Sequence, residues 1–293
     1  PQAGITFWDA AHECNAGMMA DGFTRATGKM SMMVAQNGPG ITNFVTPVKT
    51  AYWNHTPLLL VTPQAANKTL GQGGFQEVEQ MALFEDMVAY QEEVRDPSRI
   101  AETLNRVILQ AKRASAPAQV NIPRDFWTQV IDIELPAIVE FERPSGGEDA
   151  ITKAADLLSK AEFPVLLNGA GVVIGGAIEA SIKLAERLDS PVCCGYQHND
   201  AFPGSHPLFA GPLGYNGSKA GMELIAKADV VLALGSRLNP FSTLPGYGID
   251  YWPKDAKIIQ VDINPDRIGL TKKVSIGIVG DAKKVATSIF EKL

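Results

Sequence analysis

An acidic residue, Glu13, stands at the start of an apolar stretch with helical spacing, three residues after the end of the segment ITFWDA. An acid in the first turn of a helix complements the helix dipole, and that surface role alone would account for Glu13. If Glu13 instead follows a strand of an α/β sheet, it lies at the edge where such sheets bind ligands. A carboxyl group buried there would have a raised pKa and could hold or donate a proton at neutral pH.

A glycine–proline–glycine turn, Gly38-Pro39-Gly40, follows the next strand-like segment and opens a helix. The two glycines permit a close backbone approach, and Pro39 fixes its own φ. Asn43, a few residues further on, can cap the helix or donate a hydrogen bond. An ordinary connection between a strand and a helix has the same composition, so the turn by itself does not identify a ligand.

A third stretch with chemical potential is the glycine-rich segment LGQGGFQEVEQ, residues 70–80. It predicts a mobile loop that brings Phe75, Gln76 and Glu77 within reach of a ligand, although a flexible connection would look the same.

Other kinds of site have weaker support. The spacing Gly169-x-Gly171-x-x-x-Gly175 is one residue too long for a dinucleotide fingerprint, so it is weak evidence for NAD or FAD. The histidines have no partner at the spacing of a metal site, and no GxSxG nucleophile elbow occurs. We therefore predict no metal site formed by these residues and no serine hydrolase.

The elements that must position these residues alternate between strand and helix. Strands are predicted at 5–10, 31–37, 57–63, 88–94 and 118–123, with helices at 12–27, 40–54, 77–87 and 97–115. The first helix is predicted to turn Ala16, Met19, Ala20, Phe23 and Ala26 to one side. After an irregular segment, alternation resumes with segments at 164–171, 176–189, 191–196, 221–228, 229–236, 257–265 and 281–293.

This alternation predicts an α/β fold with two successive parallel-sheet, three-layer domains. The predicted boundaries are 1–135 for the first domain, 136–148 for a linker rich in Pro and Gly, and 149–293 for a Rossmann-like second domain.

Composition limits the class of protein. The 293 residues are 45% hydrophobic and 20% charged, with a net charge of −6, which argues against a nucleic-acid partner. No apolar run is long enough to span a membrane, so no membrane partner is expected. The three cysteines are not spaced as a CxxC pair and are predicted to be reduced thiols, with the cytoplasm as the default location.

Taken together, several motifs resemble those of thiamine-diphosphate-dependent enzymes of the acetolactate synthase and pyruvate oxidase type. They are HE at 12–13, MADGFTRATGK at 19–29, NGPGITN at 37–43, GFQE at 74–77 and VDINP at 261–265. The resemblance covers the whole chain. It implies that the first domain is most of a pyrimidine-binding domain and that the second is the central domain.

The resemblance also implies roles for individual residues. Glu13 would bond N1′ of the coenzyme's aminopyrimidine and so promote loss of the proton from C2 of the thiazolium ring. The turn at Gly38, Pro39 and Gly40 would let the backbone approach the pyrimidine, with Asn43 in support. By family position, Phe75 and Gln76 would lie near the reacting carbon.

Longer stretches at 51–80, 193–225 and 235–270 resemble family members that convert sulfoacetaldehyde and phosphate to acetyl phosphate and sulfite. The family's diphosphate and magnesium motif is Gly-Asp-Gly followed downstream by Asn-Asn, whereas here Gly280-Asp281 is followed by Ala282. The chain is therefore expected to be a fragment that is inactive alone. Magnesium and the diphosphate of thiamine diphosphate are expected on a missing third domain, and the intact enzyme is expected to be a homodimer or homotetramer. Lys68, Arg124 and Arg237 are anion-binding candidates by charge only.

Two other interpretations remain open at this point. One is an acetolactate-synthase-like carboligase that holds FAD in the central domain. The other is a non-catalytic nucleotide-binding module.

Overall fold

Apolar segments rich in β-branched residues form parallel strands, and the amphipathic segments between them form the connecting helices. In the computed structural model, which describes residues 4–137 and 139–293, these elements build two units, Pro1–Val139 and Glu140–Leu293. Each unit has a parallel sheet with apolar side chains on both faces.

The first unit contains a four-stranded sheet in the order β1-β2-β4-β3. Its strands are β1 (Ser31–Val34), β2 (Leu58–Gln64), β3 (Tyr90–Glu93) and β4 (Ala118–Pro123). Its helices are α1 (Glu13–Thr27), α2 (Pro39–Thr42), α3 (Val45–Trp53), α4 (Gln80–Phe84) and α5 (Ile100–Ala114).

Strand β2 shows why this sheet is covered on both faces. Leu58 and Leu60 are buried in a cluster with Phe44 and other apolar residues of the α1 to α4 segment. Leu59 and Val61 point the other way and pack in a cluster that includes α5. Because side chains alternate along a strand, one apolar run supplies both cores. The predicted three-layer arrangement is confirmed.

The inward face of α1 differs from the prediction. Met19 and Phe23 are 56% and 52% exposed, whereas Gly17, Asp21 and Thr24 are buried. A Cβ atom on Gly17 would lie 2.4 Å from Cγ of Pro47 on α3. The absence of a side chain therefore brings the two helices close together and sets which face of α1 turns inward, which helical periodicity alone does not reveal.

Two other expectations in this unit were wrong. Residues 5–10, predicted as a strand, are irregular and are not part of the four-stranded sheet. The helix predicted over 40–54 is divided into α2 and α3 by a break at Asn43 and Phe44. Asn43 and Phe44 nevertheless keep right-handed helical backbone angles.

The second unit has a six-stranded parallel sheet in the order β10-β9-β8-β5-β6-β7. Its strands are β5 (Pro164–Asn168), β6 (Val192–Cys194), β7 (Phe209–Pro212), β8 (Val230–Leu234), β9 (Lys257–Asp262) and β10 (Ile276–Val279). Its helices are α6 (Glu148–Ser159), α7 (Ala170–Ile174), α8 (Ile178–Leu188), α9 (Lys219–Ile225) and α10 (Ala282–Lys292). The order is that of a doubly wound Rossmann-like sheet, with its switch point between β5 and β8.

The glycines that resemble a dinucleotide fingerprint meet another backbone at this switch point. A Cβ on Gly171 would lie 2.6 Å from Cα of Gly235, which follows β8. The amide of Gly171 donates to the carbonyl of Gly235 at 2.9 Å. Direct packing of these two turns therefore explains the glycine at this position without a nucleotide.

Four elements of this unit were missed by periodicity: α6, α7, β7 and β10. The sequence of β7 is FAGP and that of β10 is IGIV. Both lie at the outer positions of the sheet, where burial is partial and the apolar signal is weak. Short edge strands that contain Gly or Pro are hard to distinguish from loops by sequence alone.

Two further sequence expectations concern the cysteines and membranes. Cys14, Cys193 and Cys194 are free, and burial raises the pKa of the Cys194 thiol to about 12. Cys193 and Cys194 are neighbours on one strand and pack in different cores, which keeps their thiols apart. Within the part of the chain that the structure describes, no helix is long and apolar enough to cross a membrane.

Two glycine substitutions in α1 should have opposite effects on stability. Gly17→Ala should lower the free energy of unfolding by about 1–3 kcal/mol, because its methyl group would collide with the rigid ring of Pro47. Gly22→Ala should raise it by roughly 0.5–1 kcal/mol, because Gly22 is exposed in the helix interior with open space around it. Urea denaturation followed by circular dichroism measures both. Equal effects of the two substitutions would refute this packing account.

Candidate active site

Glu13 is the first residue of α1 and remains partly exposed. His12 caps the helix, and its Nδ1 accepts a hydrogen bond from the backbone amide of Cys14 at 3.1 Å. Nδ2 of Asn43 donates to Oε2 of Glu13 at 2.9 Å. The carboxylate is therefore oriented from a second segment of the chain and is accessible from outside.

The electrostatics of Glu13 differ from those expected of a buried carboxyl group. Its pKa is lowered from the ordinary value of 4.5, chiefly by the hydrogen bond from Asn43. A backbone hydrogen bond and the nearby His12 act in the same direction, and desolvation opposes them. The raised pKa expected of a buried carboxyl group does not apply to Glu13, because this carboxyl group is not buried and its charged form receives the bond.

The turn after β1 leaves bare backbone beside this carboxylate. Gly38 has φ +73° and ψ −119°, a conformation that side chains disfavour, and α2 begins at the next residue, Pro39. A Cβ on Gly40 would lie 3.4 Å from Oε1 of Glu13. The glycine at 40 therefore keeps the space next to Oε1 free of a side chain.

The loop between β2 and α4 approaches the same turn from another side. Gln76 has φ +58°, a strained backbone conformation for a residue with a side chain, which costs on the order of 1–3 kcal/mol. Its carbonyl oxygen accepts from Nδ2 of Asn37 at 3.0 Å. A Cβ on Gly38 would lie only 2.6 Å from that oxygen. The positive φ of Gly38 and the position of Gln76 thus depend on each other.

The structure brings most of the predicted site residues together. Asn43 bonds the Glu13 carboxylate, and Gly40 lies beside it. Pro39 is the first residue of α2, and Gly38 packs against Gln76. The side chain of Phe75 is 80% exposed.

The sequence analysis did not single out Asn37, whose side chain joins the turn to the loop. An asparagine directly before a glycine turn was the available signal, because such residues often bond nearby backbone.

A cavity of about 630 Å³ in the first unit borders the glycine-rich loop at Leu70 and Glu79 and is also lined by Gln64, Gln91 and Arg95 among others. None of the predicted site residues lines it. Among residues 4–137 and 139–293, no group of three or more His, Cys, Asp or Glu side chains is arranged to hold a metal ion.

Comparison with known proteins supplies the family. The N-terminal TPP binding domain of thiamine pyrophosphate enzymes matches residues 1–83, and the central domain of the same enzymes matches residues 151–289. The chain belongs to the thiamine pyrophosphate enzyme family. The described site lies entirely within the matched N-terminal binding domain.

Relatives within this family match along the whole chain. A sulfoacetaldehyde acetyltransferase of Roseovarius nubinhibens is 82% identical over 292 residues, which is 100% of this chain and 48% of the relative. A probable sulfoacetaldehyde acetyltransferase of Rhizobium meliloti is 78% identical over 293 residues, again 100% of this chain, and 50% of the relative. The chain therefore spans about half the length of these curated relatives.

Solved structures confirm the fold. One is the X-ray structure of a putative thiamin diphosphate-dependent enzyme from Mycobacterium smegmatis, with a TM-score of 0.85 and 23% identity. The match covers 97% of this chain and 55% of that one. This likeness confirms the fold of two parallel-sheet α/β domains, and the two matching family models assign those domains to thiamine pyrophosphate enzymes.

Removing the amide of Asn43 should raise the pKa of Glu13 toward 4.5, because the main interaction that favours the charged form is lost. Carboxyl-carbon NMR titration of Asn43→Ala measures this shift. Thr42→Ala is the control, because the Thr42 hydroxyl bonds only the backbone of Pro39.

The same substitution should change how stability depends on pH. A depressed folded-state pKa stabilises the fold above the unfolded value, and this contribution is lost as the pH falls through the folded-state pKa. Asn43→Ala should therefore lose less stability than the parent chain over that acid range. An unchanged Glu13 titration would contradict the assignment.

Proposed function

We propose that the full-length protein carrying this chain is a thiamine-diphosphate-dependent acetyltransferase that converts sulfoacetaldehyde and phosphate to acetyl phosphate and sulfite. The observation that carries the proposal is the 82% identity, over 292 residues, to a relative named for this activity. Acetolactate synthases are more distant, at 32–36% identity, so that interpretation is less well supported. A cytoplasmic location and a role in the breakdown of taurine and related sulfonates belong to the same proposal.

The residues around Glu13 fit the pyrimidine ring of thiamine diphosphate. An accessible carboxylate can accept a hydrogen bond from a ring nitrogen, and the absence of a side chain at Gly40 keeps Oε1 of Glu13 uncrowded. Asn43 holds Oε2, so Oε1 remains available to the cofactor. When bound, thiamine diphosphate supplies a nucleophilic carbon that attacks carbonyl groups.

In this proposal Glu13 holds and exchanges the proton at the ring nitrogen, and Asn43 keeps its carboxylate in place. Gly38, Pro39 and Gly40 admit the ring, and Gln76 and Phe75 face the reacting side of the cofactor. We assign magnesium and the diphosphate group to a further domain of the full-length protein. The net charge of −6 argues against a nucleic-acid partner.

Replacing the proton-handling group should abolish most of the turnover. The test protein is a chimera in which residues 1–293 replace the matching segment of the Roseovarius nubinhibens relative; we call it the graft. The replacement is conservative, because the two segments are 82% identical. Glu13→Gln in this graft should reduce acetyl phosphate formation by about 10²–10⁴-fold, because an amide cannot exchange the proton.

The matched control for this substitution is Glu85→Gln, at the exposed C-terminal end of α4. It should retain parental activity, and circular dichroism should show both variants folded. Glu13→Gln activity within threefold of the parent would rule out the proposed role.

We also propose that the full-length enzyme is a homodimer or homotetramer. On α1, Met18, Met19 and Phe23 are 38%, 56% and 52% exposed, which is unusual apolar exposure for a surface helix. Sedimentation of the graft should give the mass of a dimer or tetramer at micromolar concentration. A monomer that stays active at nanomolar concentration would count against this assembly.

A further inference from the structure

The site as described leaves one acidic residue of the glycine-rich loop without a role. Oε1 of Glu77 accepts from the backbone amide of Gly71 at 2.6 Å, and Oε2 accepts from that of Gly74 at 3.1 Å. The backbone amide of Glu77 donates to the carbonyl of Gly74 at 3.2 Å. One carboxylate thus joins both ends of the segment 71–77 into a closed loop.

The chemistry of this closure needs a carboxylate. Both groups that face Glu77 are N–H donors, so both side-chain oxygens must act as acceptors. A glutamine in the same position would present one NH₂ group to an N–H, and one of the two bonds would be lost. A Cβ on Gly74 would lie 3.3 Å from Oε2 of Glu77, which makes Gly74 part of the same closure.

The closed loop restrains the backbone of Gln76, the residue that precedes Glu77. Gln76 keeps its positive φ between two anchors, the Glu77 closure on one side and the bond from Asn37 to its carbonyl on the other. Gly71 and Gly73 also have positive φ, at +81° and +70°, and as glycines they adopt it readily. Since an open glycine-rich loop has many conformations, Gln76 depends on both anchors to stay against Gly38.

We propose that Glu77 is a positioning residue that holds Gln76 in place by closing the loop through the amides of Gly71 and Gly74. Its effect on catalysis rests on the proposed function, whereas the loop closure itself does not. The proposal distinguishes Glu77 from Glu79, two residues further on, which is exposed and whose side chain makes no capping hydrogen bond to α4.

The closure can be tested in the 293-residue chain by hydrogen exchange of individual amides. Glu77→Gln should speed exchange at Gly71 and Gly74 by about tenfold or more, because their amides lose an acceptor. Glu77→Asp keeps two acceptor oxygens on a shorter side chain and should lie between the parent and Glu77→Gln. Glu79→Gln is the control and should match the parent. Unchanged exchange in Glu77→Gln, or faster exchange in Glu77→Asp than in Glu77→Gln, would overturn the proposal.

The catalytic consequence is tested in the graft. Glu77→Gln should lower kcat by about 10- to 100-fold with little change in KM for phosphate, as expected for a misplacement of order 1 Å. In a Gln76→Ala background the same substitution should add little, because Glu77 acts through Gln76. If the effects of Glu77→Gln and Gln76→Ala on kcat were fully additive in this double-mutant cycle, the positioning role would be overturned.

The two hypotheses fail in different ways. A parental graft that makes no acetyl phosphate contradicts the proposed function and leaves the exchange result intact. An unchanged exchange pattern contradicts the role of Glu77 whatever the activity of the graft.

Discussion

The hydrogen bond from Asn43 to Glu13 is the interaction on which the candidate site depends. It joins residues that are 30 positions apart, one at the start of α1 and the other at the break between α2 and α3. The bond requires α1 to lie close to the segment that contains α3, and Gly17 permits this by leaving room for Pro47. A packing constraint inside the helix layer thus sets the orientation of a carboxylate at its edge.

The lack of a side chain at glycine permits close contacts of two kinds in this chain. In the second unit, Gly171 and Gly235 pack against each other at the switch point of the sheet, and the contact serves the fold. In the first unit, a Cβ on Gly40 would lie 3.3 Å from Cβ of Ala35 and 3.4 Å from Oε1 of Glu13, so this glycine both packs closely and keeps a side chain away from the carboxylate. The same residue type therefore serves the fold alone in one place and also borders the candidate site in the other, and only its neighbours distinguish the two.

The lowered pKa of Glu13 has a consequence for how the site would work. A carboxylate stabilised by an amide is ionised at neutral pH in the free chain, so it starts as a hydrogen-bond acceptor. A group that first accepts a proton and then returns it suits a ring nitrogen that must change its protonation state. Burial beneath a bound ring would raise the pKa of this carboxyl group, which would make proton exchange easier.

Much of the fold followed from the sequence alone, because parallel sheets need continuous apolar strands and amphipathic helices, and both patterns are local. The segment PLLLVTP predicted β2, and the motifs around Glu13, Gly38 and Gln76 predicted which residues belong to the site. Tertiary structure decided the inward face of α1, the irregular state of residues 5–10, the low pKa of Glu13 and the closure of the loop by Glu77. These features depend on which distant groups come into contact, and such contacts exist only after the sheet and its helices have packed.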